Sequence, residues 1–124
     1  LLAAVPGSVL WLLDTNEAAK AVLRGRAEGE GVSASRLVFA PWIAKPEHLA
    51  RMRLADLFLD THTCNAHTTA SDAFAAEVPV LTWPSTQFAG RVAESLVRAA
   101  GLDELVAGSL TDYEDRGLAL VRAR

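Results

Sequence analysis

The stretch Leu57-Phe58-Leu59-Asp60-Thr61-His62-Thr63-Cys64-Asn65-Ala66-His67-Thr68-Thr69-Ala70-Ser71-Asp72-Ala73-Phe74-Ala75-Ala76-Glu77-Val78-Pro79-Val80-Leu81-Thr82-Trp83 decides the fold. A short apolar run ends at Asp60, a polar loop over residues 61–66 follows, and a segment rich in helix formers leads into a second apolar run over 78–83. Strand, loop, helix and strand in that order make a βαβ unit. The loop opens onto Thr68 and Thr69 at the start of the helix. A helix start offers unpaired backbone N–H groups and the positive end of the helix dipole, which suits a phosphate. In open parallel sheets, ligands lie beyond the carboxyl ends of the strands, where this loop falls. The segment therefore reads as phosphate-facing. An ordinary N-cap by the Thr68 or Thr69 hydroxyl explains the same residues equally well.

Working outward, Ser8-Val9-Leu10-Trp11-Leu12-Leu13 lies between Gly7 and Asp14 and reads as a buried parallel strand. Asn16 is placed to cap a helix over residues 17 to about 28, which Gly29 and Gly31 stop. Residues 36–40 form a second strand, and Pro41 and Pro46 bracket a loop. Pro46 is favourable in the first turn of a helix that runs to about residue 53. Beyond the central unit, residues 87–100 read as a helix closing at Gly101, and 102–107 as either a short strand or a helical turn. A last helix spans 111–124, with Thr111 as its cap and Glu114 at the capping-box position. Strands alternating with helices at this spacing predict an α/β fold, a parallel sheet with helices on both faces.

At 124 residues the chain is one domain or a piece of one. Leu1 to Pro6 reads like the end of a helix rather than a natural start, and there is no initiator methionine, so a fragment of a longer protein is expected. Half of the residues are apolar and 22% are charged, a balance that builds a core and argues against disorder. A net charge of −3 does not suit a general nucleic-acid binder. No apolar run reaches the ~18 residues of a membrane span, and no signal-peptide pattern is present. Cys64 is the one cysteine, so no internal disulfide forms, which fits a reducing compartment.

Side chains able to carry chemistry fall in two places. Lys45, His48 and Arg51 are spaced three apart and form a slanted stripe on a helix. Such a stripe presents a cation to a phosphate or ribose and a flat ring to a base, although a solvated charged face has the same composition. The second place is His67 to Asp72. Asp72 lies four residues after Thr68, on the same helical face, where a carboxylate accepts hydrogen bonds from a sugar diol. Alternatively it is a favourable charge in an early helical turn. His62, Cys64 and His67 are spaced too irregularly for a common zinc motif, and no fourth ligand is evident. No Gly-x-Ser-x-Gly, Walker loop or Gly-x-Gly-x-x-Gly occurs.

The runs Val5-Pro6-Gly7-Ser8 through Leu13, Arg36-Leu37-Val38-Phe39, Lys45-Pro46-Glu47-His48 and Leu54 through Thr61 resemble the C-terminal catalytic lobe of the O-linked N-acetylglucosamine transferase family. So do Cys64-Asn65-Ala66-His67-Thr68-Thr69 with Asp72, Pro79 through Thr82, Ala89 through Ala93, and Tyr113-Glu114-Asp115. The resemblance covers nearly the whole chain in order, and the Cys-Asn-x-His-Thr-Thr-x-x-Asp block is its most specific part. It implies that residues 1–124 are the C-terminal UDP-sugar-binding lobe of a GT-B glycosyltransferase, with a Rossmann-like parallel sheet. In such a family the donor is UDP-N-acetylglucosamine, no metal or other cofactor is used, the acceptor is Ser/Thr of proteins, and a cytoplasmic location is expected. The Ala44 backbone, His48 and Arg51 are then expected at the uracil, Lys45 and Asp72 at the ribose, and His67, Thr68 and Thr69 at the diphosphate. No catalytic residue is expected here. The family's phosphate-binding lysine, first strand, N-terminal lobe and tetratricopeptide repeats are expected upstream, so the fragment alone is expected to be inactive. Ala66, Ala70, Glu77 and Ser85 stand where the family usually has glycine, and the Cβ atoms of Ala66 and Ala70 are expected to crowd the phosphate segment. A GDP-fucose-dependent protein O-fucosyltransferase lobe shares the flanking strands, but His67 together with Asp72 favours the N-acetylglucosamine branch. A non-catalytic nucleotide-binding or interaction module is the alternative from another class.

Overall fold

The structure, a computed structural model, describes residues 1–123. Its contacts divide the chain into two compact units, Leu1–Ala44 and the segment from Lys45 onward.

In the first unit, strand β1 (Leu10–Leu13) pairs in parallel with β2 (Leu37–Ala40), with Leu12 opposite Phe39. Helix α1 (Glu17–Gly29) connects them, and the Asn16 side chain caps it by accepting the Ala19 N–H at 2.8 Å. Lys20 and Arg24 of α1 lie over the Phe39 ring. Lys20 also pairs with Asp14 at 3.0 Å and with Glu17 at 2.6 Å. The Arg36 guanidinium donates to the carbonyls of Ser8 and Val5, each at 2.8 Å, and so ties the chain before β1 to β2. The expectation that β1 is wholly buried does not hold. Trp11 and Leu13 are 36% and 53% exposed, because this ladder has only two strands and alternate side chains point to opposite faces.

The second unit carries the βαβ element. Strands β3 (Phe58–Leu59) and β4 (Val80–Leu81) pair in parallel, joined through α3 (Thr68–Ala75), and α2 (Lys45–Met52) precedes them. The parallel pairing is as expected, in two two-stranded sheets rather than one continuous ladder. Residues 102–107 form a helical turn followed by a single bridge residue rather than a strand. Asp103–Leu105 is a 3-10 turn, and Val106 bridges Thr82 in parallel, with the Ala107 N–H on the Thr82 carbonyl at 2.8 Å. The core is built from small and branched residues, with Ala70, Ala73, Val80, Ala93 and Val97 fully buried. Alanines at the helix contacts let the backbones of α3 and α4 (Val92–Ala99) approach closely.

Two expected elements begin elsewhere. Residues 87–100 are not one helix: Phe88–Gly90 is a separate 3-10 turn before α4. The cause is Asn65. Its N–H takes the Ala89 carbonyl at 2.7 Å and its Oδ1 accepts the Ala93 N–H at 3.1 Å, so it stands between the two groups that a continuous helix would join. Helix α5 (Leu110–Arg122) is capped by Ser109 rather than Thr111. Ser109 is the extended residue, its Oγ accepts the Asp112 N–H at 3.1 Å, and Asp112 rather than Glu114 reaches back, to the Gly108 N–H at 2.9 Å. The expected end of this helix at residue 124 lies outside the described residues.

Three helices end in the same way. After α1 and α4, Gly31 and Gly101 take φ of 76° and 74°, and the next N–H reaches back five residues, Val32 to Ala27 and Leu102 to Val97. After α3 the same Schellman bonds form, Glu77 N–H to Phe74 and Val78 N–H to Ala73, but the left-handed position is Glu77 at φ 63°. Left-handed backbone costs a residue with a Cβ about 1–2 kcal/mol, and glycine's greater freedom in the unfolded chain offsets part of that. Glu77→Gly is therefore expected to stabilise the fold by up to about 1 kcal/mol, read from denaturant or thermal unfolding. A lowered midpoint would refute this account of the helix end. Glu77 thus acts at the C-terminal end of α3, away from the phosphate segment at its start.

Candidate functional site

The first turn of α3 supplies the backbone donors. His67 occupies the N-cap position with φ −102° and ψ −86°, and no side chain caps the helix. The N-cap by Thr68 or Thr69 that the sequence allowed does not form. Both residues lie within the helix, and with His67 they are exposed. The amides of this turn thus have the orphan character of helix starts, together with the positive end of the dipole. Ala66 and Ala70 flank this segment. Ala70 is fully buried in the core and Ala66 packs against it, so both turn inward.

The loop that leads to this turn is held from inside. Asp60 is buried, and its two carboxylate oxygens accept from the Ala66 N–H and the Thr82 hydroxyl, each at 2.7 Å. The Tyr113 hydroxyl of α5 donates to the Asp60 backbone carbonyl at 2.8 Å. Burial pushes the Asp60 carboxyl above the usual carboxylate range, and the Ala66 and Thr82 hydrogen bonds pull it partly back. Burial also pushes the Tyr113 phenol up, to about 12, with the Asp60 charge adding to the effect. Asn65, also buried, donates from its side-chain amide to the Thr61 carbonyl at 2.8 Å. Sequence reasoning singled out none of Asp60, Asn65, Thr82 and Tyr113 as a site residue. The available signal was a carboxylate at the end of a strand and an amide shortly before a helix start.

The second place converges with the first. Asp72, buried on α3, receives the Lys45 Nζ at 2.9 Å, and the His48 Nε2 stands 3.8 Å from its other oxygen. Arg51 Nη2 lies 3.4 Å from His48 Nδ1. An arginine always donates, so His48 Nδ1 accepts there and Nε2 carries the proton that faces Asp72. Lys45, His48, Arg51 and Asp72 thus form one polar cluster between α2 and α3, with a cation, a ring and a carboxylate in reach of one another. The slanted stripe is therefore not simply a solvated face: His48 and Arg51 are half-buried, although Lys45 remains exposed. Ala44 closes the other unit and is exposed just before α2.

His62 stacks on Trp83 with ring centroids 3.7 Å apart, and its Nδ1 lies 2.8 Å from the Trp83 carbonyl. Among the described residues no three His, Cys, Asp or Glu side chains gather as a metal site, and no helix is long and apolar enough to cross a membrane.

The second unit thus sets an uncapped helix start beside the polar cluster of Lys45, His48, Arg51 and Asp72. The family model for glycosyl transferase family 41 matches residues 1–122. The chain is 40% identical over 121 residues to a probable UDP-N-acetylglucosamine–peptide N-acetylglucosaminyltransferase of Arabidopsis thaliana, covering 97% of this chain and 12% of that protein. With the UDP-N-acetylglucosamine–peptide N-acetylglucosaminyltransferase of Caenorhabditis elegans it shares 41% identity over 113 residues, covering 91% of this chain and 10% of that protein. The fold matches a mutant O-GlcNAc transferase of Thermobaculum terrenum with a TM-score of 0.92 at 35% identity, over 98% of this chain and 24% of that one. The chain belongs to glycosyltransferase family 41. It spans about a tenth of the length of these curated relatives.

Proposed function

We propose that this chain supplies the donor-binding lobe of a protein O-linked N-acetylglucosamine transferase and that its ligand is UDP-N-acetylglucosamine. The observation that carries the reading is the Lys45–Asp72 contact at 2.9 Å, which joins the α2 stripe to the helix whose uncapped start bears His67, Thr68 and Thr69. The similarity to proteins named as UDP-N-acetylglucosamine–peptide N-acetylglucosaminyltransferases supports the same donor.

On this reading His48 and Arg51, with the Ala44 backbone, meet the uracil. Lys45 and Asp72 hold the ribose: a diol donates to the carboxylate, and the ammonium donates to a ribose oxygen. The amides of the first turn of α3 and the Thr68 and Thr69 hydroxyls receive the diphosphate. As the bond from the anomeric carbon to the diphosphate breaks, negative charge grows on the leaving oxygen, and donors already aimed there stabilise it without reorganising. Fixed N–H groups and hydroxyls, with the lysine expected upstream, then take the part that a metal ion plays elsewhere, and the transfer is metal-independent. In the complete protein, an N-terminal lobe and tetratricopeptide repeats present the Ser/Thr acceptor, and the protein acts in the cytoplasm.

The test is calorimetry of UDP, GDP and uridine with the complete protein. His48→Ala is expected to weaken UDP by about 1–2 kcal/mol, the scale of a lost stacking or hydrogen-bonding partner. Thr69→Pro keeps the helix, because its first turn tolerates proline, but removes one N–H donor. It should weaken UDP by about 1.5–3 kcal/mol, the scale of a hydrogen bond to a charged group. Normal UDP binding by a folded Thr69→Pro variant would return Thr68 and Thr69 to an ordinary helix start. Tighter binding of GDP than of UDP would favour the fucosyltransferase branch.

A further inference from the structure

We propose that Asp60 and Asn65 are positioning residues, which hold the amides at the start of α3 in the orientation that receives the donor's diphosphate. The proposal rests on the donor-site reading above and names residues that touch no ligand.

Both side chains are buried, Asp60 at 5% exposure and Asn65 at 4%, and both are committed to the loop and its frame. Asp60 Oδ1 turns the Ala66 N–H inward, and its Oδ2 is fixed by Thr82, the residue that bridges Val106. Its backbone N–H donates to the Leu81 carbonyl at 3.0 Å, while its carbonyl is held by Tyr113 of α5. Asn65 grips the adjacent residue in the loop. Its side-chain amide takes the Thr61 carbonyl, and its N–H and Oδ1 take Ala89 and Ala93 on either side of the start of α4. Two successive residues, Asn65 and Ala66, are thus clamped from within, and the next three, His67, Thr68 and Thr69, are exposed. The peptide that sets the direction of the first turn of α3 cannot rotate without breaking these bonds.

Asp60 is buried with both carboxyl oxygens engaged. Its pKa in the fold lies above the ordinary value. A group with that sign contributes its full stability below the ordinary pKa and loses it as pH rises through the raised one. What the carboxyl provides is geometry: two oxygens that hold one loop amide and one buried hydroxyl.

The experiment compares UDP with uridine on the complete protein, because uridine engages the base and ribose contacts but has no diphosphate. Asp60→Ala is expected to lower UDP affinity about ten- to hundredfold, the scale of one misplaced charge-assisted hydrogen bond, with uridine affinity within about threefold of the parent. Asp60→Asn keeps an oxygen for the Ala66 N–H and should recover most of the UDP affinity. If Asp60→Ala does not fold, Thr82→Val, which leaves one Asp60 oxygen without its partner, should lower the UDP-to-uridine affinity ratio in the same direction. Equal losses for both ligands, or no loss for either, would overturn the proposal by making the two residues ordinary structural ties. A parent protein that binds uridine and UDP equally, or binds neither, would instead remove the donor-site reading itself.

Discussion

Alone, this 124-residue chain is expected to transfer no sugar, whereas on the proposed reading the complete protein transfers it. The chain matches 24% of the solved family member's length, and on the proposed reading it forms only the donor-side wall of a cleft between two lobes. Transfer requires donor, acceptor hydroxyl and charged groups to be held in near-attack geometry. Positioning of that kind is worth about 7–11 kcal/mol of barrier, equivalent to many orders of magnitude in rate. UDP binding depends on fewer groups and is expected to survive in weakened form. A radiolabelled transfer assay on the isolated chain and on the complete protein, against a no-enzyme control, measures the difference. Turnover by the isolated chain above that control would mean that it holds a whole active site.

Gly90→Ala is expected to be the most damaging small substitution in the second unit. A Cβ at Gly90 would lie 1.8 Å from Ser85 Oγ, 2.8 Å from Ser85 Cβ and 2.7 Å from the His62 backbone carbonyl. The serine can turn, but the carbonyl belongs to the loop that leads to the site, so backbone must move. Overpacking of this sort costs typically 1–3 kcal/mol and more where backbone is in the way, so a loss of about 3 kcal/mol is expected. The same contact shows what Ser85 does in place of the family's usual glycine: its hydroxyl is buried against Gly90 with no hydrogen-bond partner among the described residues. Ser85→Gly should therefore rescue part of the Gly90→Ala loss, leaving the share due to the His62 carbonyl. Denaturant unfolding of the two single variants and the double variant gives this coupling as a double-mutant cycle. Additive losses would show that Ser85 is not the obstacle.

The fold was legible where its causes are local. The apolar runs at β1, β2, β3 and β4, the Asn16 cap and the glycine stops at Gly31 and Gly101 each act within a few residues. The stripe of Lys45, His48 and Arg51 was also readable, because helical spacing alone places those side chains on one face. Even the misplaced cap of α5 was a local competition between two similar patterns, which Ser109 won by taking the extended backbone that an N-cap needs.

The sequence by itself therefore determined an α/β chain of parallel strands, a helix that starts after a polar loop, and the residues that make the family recognisable. Tertiary structure alone decided what holds that helix start in place. Thr82 meets Asp60 from 22 residues away, Ala93 meets Asn65 from 28, and Tyr113 meets Asp60 from 53. It also broke the expected helix over 87–100, because Asn65 occupies the bonds that would have continued it. The physical reason is that an amide, a hydroxyl or a carboxylate looks the same in sequence whether its partner is water or a buried backbone group. Burial makes the partner obligatory, and only the folded chain brings one within reach.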